Sequence, residues 1–319
     1  MPTRLATEEE IDTWHREGWV LIEGLVDTEE IDEAAADLRK IFPSSEEYHA
    51  DPDAARTRWI GQPPPLRDVF VWPDEGPGFR PEQHRWRGEF PFPGSGALNR
   101  MTVHPSIVDT AERLLRTTEL RIYQTGVGAK YTGETNYEQP MHTDRNHSWL
   151  PPRMEEPWWH LESFLYLCDV TPGLAPTHLV NLSDAGDRDP GEPLLWPATD
   201  PEIYRVERPA AGVRGSLLAY RSDVWHRAVD LTEPNGARFL LNVSFRHAGH
   251  DWFGFHTAQS RATSPHWVAL VEGCTPRELE LFGFPVPGHP IWTEELIDAT
   301  QRRYPKLDLD PWRKATVAQ

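Results

Sequence analysis

The periodicity of the apolar residues changes near residue 118 of this chain, and that change constrains the fold more than any other feature of the sequence. Before it, apolar side chains recur at helical spacing. After it, they follow a period of two in residues 120–124, 159–167, 216–220 and 238–245, which is typical of β-strands. Helices followed by strands with turns between them predict a mainly β fold with flanking helices, a double-stranded β-helix (jelly roll, cupin-like).

The N-terminal part of the chain carries clear helix signals. Thr7 and Glu10 form a capping box for a short helix, and residues 19–22 predict a buried strand after it. Asp27 caps a second helix, which the apolar spacing extends until Pro43. The N-terminal order is therefore helix, strand, helix. Further helices are predicted for residues 106–117, 275–283 and 293–304.

Proline and glycine indicate where regular structure stops. The chain holds 31 Pro and 22 Gly, and Pro, Gly, Trp and Arg dominate residues 43–98, where we expect either a lid or binding loop or a mobile insertion. No repeat or linker divides the sequence, so a single domain is expected over residues 1–319. It would consist of a helical N-terminal flank over 1–118, which includes the loop, a jelly-roll core over 119–247, and a C-terminal extension of helices and loops over 248–319.

The charge balance excludes several classes of partner. Asp and Glu number 50 against 32 Lys and Arg, and the net charge of -18 would repel nucleic acid and anionic membranes. Two cysteines, Cys168 and Cys274, are too few for a disulfide framework and fit a reducing cytosol. The N-terminus lacks an apolar signal segment, and no apolar stretch is long enough for a membrane helix. We expect a soluble, cytoplasmic protein with a small-molecule substrate; the sequence leaves the oligomeric state open.

Four residues could share one site despite their separation in sequence. His142 and Asp144 lie between the first two predicted long strands, His226 follows the third, and Arg238 begins the last. Two His and one carboxylate on one face of an ion leave the opposite face open, which suits Fe(II) holding a bidentate ligand together with O2. An Arg fork can neutralise the far carboxylate of such a ligand.

Other interpretations of these residues stay open at this level. His142 and Asp144 alone could be a hydrogen-bonded surface pair, and the same three ligands also suit a zinc hydrolase. Hydrolysis usually needs a general base, and no Glu stands beside the motif in sequence. A non-catalytic jelly-roll binding module is the third possibility. Arg246 shares the strand face of Arg238, and either could instead form a structural salt bridge.

These motifs resemble a known family. His142-Thr143-Asp144, His226 and Arg238 are similar to the iron and 2-oxoglutarate motif of the phytanoyl-CoA dioxygenase family, and residues 10–21 and 164–169 resemble its N-terminal helix and strand and its mid-chain strand. The resemblance implies Fe(II), with 2-oxoglutarate and O2 as co-substrates. It also implies hydroxylation of a C–H bond in a small organic or acyl substrate, with decarboxylation of 2-oxoglutarate to succinate and CO2.

The resemblance also implies roles for individual residues. His142, Asp144 and His226 would bind the iron, and Arg238 would bind the C5 carboxylate of 2-oxoglutarate. Phe164 occupies the position where the family often has a tryptophan beside the co-substrate, and Gln124 is expected on the pocket side of the preceding strand. Asp144 favours an oxygen-dependent oxidation, because related halogenases have Gly or Ala at that position.

The sequence departs from the family pattern at two places. Ala228 stands where many members have a Ser that also binds the co-substrate carboxylate, and Ser244 could substitute for it. Thr177-His178 replaces part of the usual Pro-Gly-Ser-His, so the local loop geometry is open. Few basic residues besides Arg145 and Arg153 stand near the motif, so a CoA thioester is not strongly favoured.

The remaining histidines and tryptophans near the motif receive simpler interpretations. His147, His160 and His178 are expected to be structural or to support the ligands. Trp158, Trp159 and Trp225 could wall a substrate pocket or fill the core.

Overall fold

The computed structural model describes residues 4–61, 76–90, 92, 94–144, 148–150, 156–191, 194–253, 268, 271–276, 279 and 284–317. Its helices are α1 (Glu8–Glu17), α2 (Thr28–Leu38), α3 (Ser45–Ala50), α4 (Pro52–Trp59), α5 (Gly96–Met101), α6 (Pro105–Leu115), α7 (Leu182–Ala185), α8 (Pro201–Arg205), α9 (Glu294–Arg303) and α10 (Asp310–Val317). Short 3-10 helices cover Pro81–His84 and Pro172–Leu174. Within the described ranges, no helix has the length and apolar character needed to cross a membrane.

The strands form two antiparallel sheets. They are β1 (Trp19–Ile22), β2 (Arg87–Glu89), β3 (Leu120–Tyr131), β4 (Leu161–Tyr166), β5 (His178–Leu179), β6 (Arg208–Pro209), β7 (Leu217–Arg221), β8 (His226–Arg227) and β9 (Ala237–His247). The larger sheet has the order β1-β7-β4-β9-β3-β2, and the smaller has the order β6-β5-β8. The predicted antiparallel β core with flanking helices is confirmed.

The two faces of the larger sheet have different neighbours. On β9, Phe239 points outward into the core that α1, α2 and α6 share with the sheet. Leu240, the next residue, points inward and packs with Tyr166 and Tyr220. The inner face is turned toward the smaller sheet, since the ring of Tyr220 lies 4.8 Å from that of His226. The interior between the sheets is therefore lined by even-numbered residues of β9.

The strand β3 is longer than predicted and ends at Tyr131 rather than at residue 124. Val127 and Ala129 pack outward into the core, so the alternation continues through Gly126 and Gly128. Glycine has no side chain to show the period, and in sequence it suggests the end of a strand. The predicted strand therefore ended at residue 124, before the two glycines.

Residues 43–98 are more regular than the loop we predicted. Ser44 and Glu47 form a capping box at α3, Asp51 caps α4, and β2 pairs with β3 at the edge of the larger sheet. These caps are local polar signals that the high Pro and Gly content obscured. Residues 62–75, which include Pro63-Pro64-Pro65, lie outside the described residues.

The predicted boundaries need two further corrections. The helix α2 ends at Leu38, before Pro43, because the N–H groups of Arg39 and Lys40 bond to carbonyl groups three residues back and tighten the chain. The jelly-roll core is also not confined to 119–247, because β1 pairs with β7 and β2 with β3. The N-terminal flank thus supplies both edge strands of the larger sheet.

The C-terminal helices pack against the part of β3 that carries Tyr123. Thr293 caps α9 as predicted, and Ile297, Tyr304 and Trp312 share a core cluster with Tyr123 of β3. Most of the helix predicted for residues 275–283 lies outside the described residues.

Candidate metal centre

The three predicted metal ligands lie together. His142 and His226 are a cross-strand pair, and the N–H of each donates to the carbonyl of the other at 2.9 and 2.8 Å. The N–H of Asp144 donates to the carbonyl of Ser222 at 3.1 Å. One possible ligand atom from each of His142, Asp144 and His226 lies within 4.8 Å of the others. A single ion can bridge such a separation.

The backbone orients both imidazoles. The Nδ1 of His142 lies 2.8 Å from the carbonyl of Pro140, and the Nδ1 of His226 lies 2.9 Å from that of Val224. A carbonyl only accepts, so each Nδ1 donates to it and each Nε2 is the nitrogen available to a metal. The Nε2 of His226 is 3.6 Å from Oδ2 of Asp144. Two imidazoles with Nε2 available and a carboxylate fit an Fe(II) ion.

Tyr220 supports the carboxylate of this cluster. Its O–H donates to Oδ2 of Asp144 at 3.0 Å. Burial raises the pKa of Tyr220 well above its usual value, and the charges of Asp144 and Glu162 raise it further. Tyr220 therefore stays protonated and donates. Sequence reasoning missed this residue, although the period of the third predicted strand places it on the same face as Leu218.

Two cations lie side by side on the inner face of β3 and β9. Lys130 and Arg238 are direct partners in the register. Burial lowers the pKa of Lys130 well below its usual value, the Arg238 guanidinium lowers it further, and burial also lowers the pKa of Arg238. No carboxylate of a described residue forms a salt bridge with either cation. Asp230 and Glu138 attract Lys130 from beyond salt-bridge distance, whereas no described carboxylate acts on Arg238. Buried like charges without a directly paired counter-ion are unfavourable. We name Lys130 and Arg238 the basic pair; they form a candidate anion site.

The contacts of Arg238 connect the basic pair to the metal cluster. Its Nη1 donates to the carbonyl of Ala175, which adopts a left-handed conformation with φ 57°. Ala175 packs in one apolar cluster with Val229, three residues after His226. Three residues span at most about 11 Å. The basic pair therefore lies in the same interior as the metal cluster.

The structure separates the two arginines that the sequence left as alternatives. Arg246 bonds to the exposed Asp251 at 3.1 Å. Arg238, which is 7% exposed, has no such partner among the described residues. Arg246 thus makes the structural ion pair, and Arg238 remains the candidate for an anionic ligand.

Phe164 and Gln124 both face the interior, at different places. Phe164 lies on β4 opposite Asn242, and its ring is 6.1 Å from that of Tyr220. Gln124 is six residues from Lys130 on β3, about 20 Å along the strand. The structure therefore does not bring Gln124 to Arg238; it places Gln124 at the opposite end of the strand.

Our expectation for Ser244 is wrong. Ser244 shares the inner face with Arg238, but it pairs with Gln124, about 20 Å along the strand from Arg238. Its hydroxyl donates to the buried carboxylate of Glu162. It therefore cannot replace the serine that Ala228 lacks. Lys130 stands beside Arg238 instead. The sequence did not single out this residue, because its place on the inner face follows only when β3 continues through Gly126 and Gly128.

A buried glutamate lies close to the metal cluster after all. Glu162 is opposite Tyr220 in the β4–β7 register and is 1% exposed. Its two carboxylate oxygens accept hydrogen bonds from the hydroxyl groups of Tyr123 and Ser244. No Glu stands beside the motif in sequence, but the position of β4 brings Glu162 close to the metal cluster in the fold.

The inner face of β3 is bare between its two ends. Gly126 and Gly128 follow Gln124 and precede Lys130 on that face, and both are partly exposed. A Cβ placed on Gly128 would have one heavy atom of the described residues within 4 Å, the Trp86 carbonyl oxygen at 3.9 Å. A Cβ on Gly126 would lie 3.3 Å from the carbonyl oxygen of Gly88, so the open space is at Gly128.

The other residues near the motif have structural surroundings. His160 bonds to Ser222 at 2.9 Å, and Nδ1 of His178 lies 3.0 Å from Oε1 of Glu207. Trp225 is buried with Met141, while Trp159 packs on Trp14 and under Arg221 and Trp158 packs against His250. His147, Arg145 and Arg153 lie outside the described residues.

Comparisons with known proteins bear on the fold. No protein-family model matches the chain, and no curated protein matches its sequence. Among solved structures, the non-heme alpha ketoglutarate dependent epimerase SnoN from nogalamycin biosynthesis is similar at TM-score 0.52 and 18% identity, over 76% of this chain and 82% of that one. EctD from S. alaskensis is similar at TM-score 0.50 and 18% identity, over 82% and 86%.

A second SnoN structure, in complex with Fe3+, alpha ketoglutarate and nogalamycin RO, is similar at TM-score 0.50 and 19% identity, over 76% of this chain and 84% of that one. At these identities the likeness speaks for architecture alone. This chain has the jelly-roll fold of these enzymes.

Proposed function

We propose that this protein is an Fe(II)- and 2-oxoglutarate-dependent dioxygenase that hydroxylates a C–H bond of a small organic or acyl substrate. The observation that carries the proposal is the presence, in one interior, of a His142–Asp144–His226 cluster and a basic pair without a carboxylate partner among the described residues. A dicarboxylate with a chelating end matches both parts.

The roles of the metal ligands follow from their geometry. His142 and His226 would offer Nε2, and Asp144 one carboxylate oxygen, to a single Fe(II). Iron bound there supplies the activation of O2 coupled to conversion of 2-oxoglutarate to succinate and CO2. Three protein ligands leave room for a chelating keto acid and one further position. The hydrogen bond from Tyr220 holds Asp144 in place for this task.

The basic pair would bind the C5 carboxylate. Arg238 offers a fork of N–H donors, and Lys130 supplies a second positive charge where Ala228 offers no hydroxyl. Phe164 would form an apolar wall beside the carbon chain of the co-substrate.

The comparisons agree with this assignment at the level of fold. SnoN is alpha ketoglutarate dependent, and one of its structures holds Fe3+ and alpha ketoglutarate. The narrower resemblance to the phytanoyl-CoA dioxygenase family remains a prediction.

Glu162 is the one feature that suits a zinc hydrolase. Both of its oxygens accept hydrogen bonds from hydroxyl groups, however, and hydrolysis by a metal-bound water does not itself account for the basic pair, whereas a dicarboxylate co-substrate does. Metal analysis of protein purified without added iron, together with oxygen consumption in the presence of 2-oxoglutarate, distinguishes the two functions.

Anaerobic titration tests the proposal directly. Adding Fe(II) and then 2-oxoglutarate should produce the weak visible charge-transfer band of a chelated keto acid. His226→Ala should lose the band, whereas His178→Ala should keep it, because His178 is paired with Glu207 beside the site. Absence of the band in the unaltered protein would refute the proposal. Succinate formation without a substrate shows whether turnover, and not only binding, takes place.

A further inference from the structure

The interior wall beside the metal cluster offers two hydrogen-bond acceptors that no described residue uses. They are Oε1 of Gln124 and Oδ1 of Asn242. Both side chains are more than nine-tenths buried, at 7% and 8% exposure. Both lie on the inner face, because Gln124 pairs with Ser244 and Asn242 pairs with Gly126. Leaving a buried acceptor unsatisfied costs free energy, so such groups usually have a partner in the functional state.

Hydrogen bonds fix the orientation of Asn242. Its Nδ2 donates to the carbonyl of Ser163 at 3.1 Å and to Oγ of Ser244 at 3.2 Å. The amide nitrogen is thereby assigned, and Oδ1 is the end turned to the interior. The glycine opposite Asn242 carries no side chain that would cover this oxygen.

The surrounding donors are already committed. The hydroxyl groups of Tyr123 and Ser244 both donate to the carboxylate of Glu162. Their protons are therefore directed away from the interior, and Glu162 adds a negative charge behind the wall. A wall of acceptors backed by a carboxylate favours a ligand that donates, and it favours a cation over an anion.

This wall belongs to the substrate side of the metal cluster. Glu162 is opposite Tyr220, which bonds to Asp144. The basic pair lies at the other end of β3, about 20 Å from Gln124 along the strand. The basic pair thus favours a carboxylate, and the wall at the other end of β3 favours a hydrogen-bond donor.

We propose that Oε1 of Gln124 and Oδ1 of Asn242 receive a hydroxyl or ammonium group of the substrate, which makes the substrate a polyhydroxylated or amino-bearing small molecule rather than an acyl-CoA. This proposal rests on the proposed function and reassigns Gln124, which the sequence placed with the co-substrate. The two oxygens position the donor group beside the metal cluster, and Gly128 leaves space for the substrate body.

The test compares donors with a matched molecule that cannot donate and with an acyl thioester. The probes are myo-inositol and glucosamine; hexa-O-methyl-myo-inositol is the matched molecule without donors, and octanoyl-CoA represents the acyl-CoA class. The readouts are the thermal shift of the protein, the change in the charge-transfer band of the Fe(II) and 2-oxoglutarate complex, and succinate formation. We expect responses to the two donors and none to the methylated inositol or the thioester.

Variants then locate the contact. Gln124→Leu and Asn242→Leu should each weaken the donor response about 10-fold or more, since a buried hydrogen bond to the ligand is lost. Affinity for 2-oxoglutarate should stay unchanged. Gln124→Glu keeps an acceptor and should retain the response, whereas Asn242→Asp would lose the two bonds that the amide nitrogen donates and is not used. Thr125→Val, on the outer face of the same strand, is the matched control.

The outcomes separate the two proposals. If the unaltered protein shows no charge-transfer band, the proposed function fails, while the thermal shift with donors still tests the wall. If the band forms but octanoyl-CoA responds and the donors do not, the wall proposal is overturned. It is equally overturned if no probe responds, or if the Leu variants weaken only 2-oxoglutarate binding.

Discussion

The metal cluster and the basic pair share one interior but favour ligands of opposite charge. At the metal cluster, the carboxylate of Asp144 has the Tyr220 hydroxyl and the His226 imidazole beside it. At the basic pair, Lys130 and Arg238 stand together, and neither forms a salt bridge with a carboxylate of a described residue. The metal cluster can therefore bind a cation, and the basic pair can bind an anion. A ligand that uses both must be an anion with a chelating end.

The largest expected effect comes from removing the carboxylate of the metal cluster. Asp144→Ala should weaken iron binding and reduce turnover to background, because one of the three protein ligands is lost. Iron content after dialysis and succinate formation are the measurements. Asp251→Ala is the control, since that exposed carboxylate pairs only with Arg246 among the described residues. Unchanged turnover in Asp144→Ala would show that another carboxylate binds the metal.

The next effect separates the two arginines of β9. Arg238→Met should weaken 2-oxoglutarate binding about 100-fold, as expected when a buried charge-assisted pair loses one partner. Arg246→Met should change it little, because its partner is the exposed Asp251. The dissociation constant from anaerobic titration decides between them. Equal effects in the two variants would remove the basic pair from the co-substrate site.

A smaller effect is expected at the support of the metal ligand. Tyr220→Phe removes the hydroxyl that donates to Asp144 and should weaken iron binding about 10-fold, while the affinity for 2-oxoglutarate at saturating iron stays the same. Competition with a chelator gives the iron affinity. A variant that instead loses keto acid binding would place Tyr220 in contact with the co-substrate.

The smallest effect is a pH dependence of the basic pair. Burial and Arg238 lower the pKa of Lys130, so the free protein loses this proton more readily than usual as pH rises. Only protonated Lys130 attracts the carboxylate. The affinity for 2-oxoglutarate should therefore fall with rising pH, by no more than about 10-fold per pH unit for one linked proton. In Lys130→Arg, which stays protonated, this dependence should vanish; if it persists, another group is responsible.

The sequence predicts the residues of the metal cluster better than it predicts the other residues that line the interior. His142 and Asp144 are neighbours in sequence, and His226 carries a characteristic spacing to Arg238, so a motif identifies all four. Lys130 belongs to no motif. Its position beside Arg238 depends on β3 continuing through two glycines, which the apolar period does not show.

Contacts between strands that are far apart in sequence could not be predicted from the sequence. Glu162 approaches Tyr220 only through the pairing of β4 with β7, and Ser244 turns to Glu162 rather than to a ligand. Register is set by the whole sheet, and no local pattern states it. The caps of α3 and α4 were readable from Ser44 and Asp51, but the proline content concealed them.

Gly128 has a consequence for how this interior can change over time. A methyl group there would meet no described atom closer than 3.9 Å, so alanine fits at this position. Gly128 shares the inner face with Lys130, two residues away, so larger side chains would approach the basic pair. Gly128→Ala is therefore a small step by which natural variation, or directed evolution, can narrow the interior while the metal ligands and the basic pair stay in place.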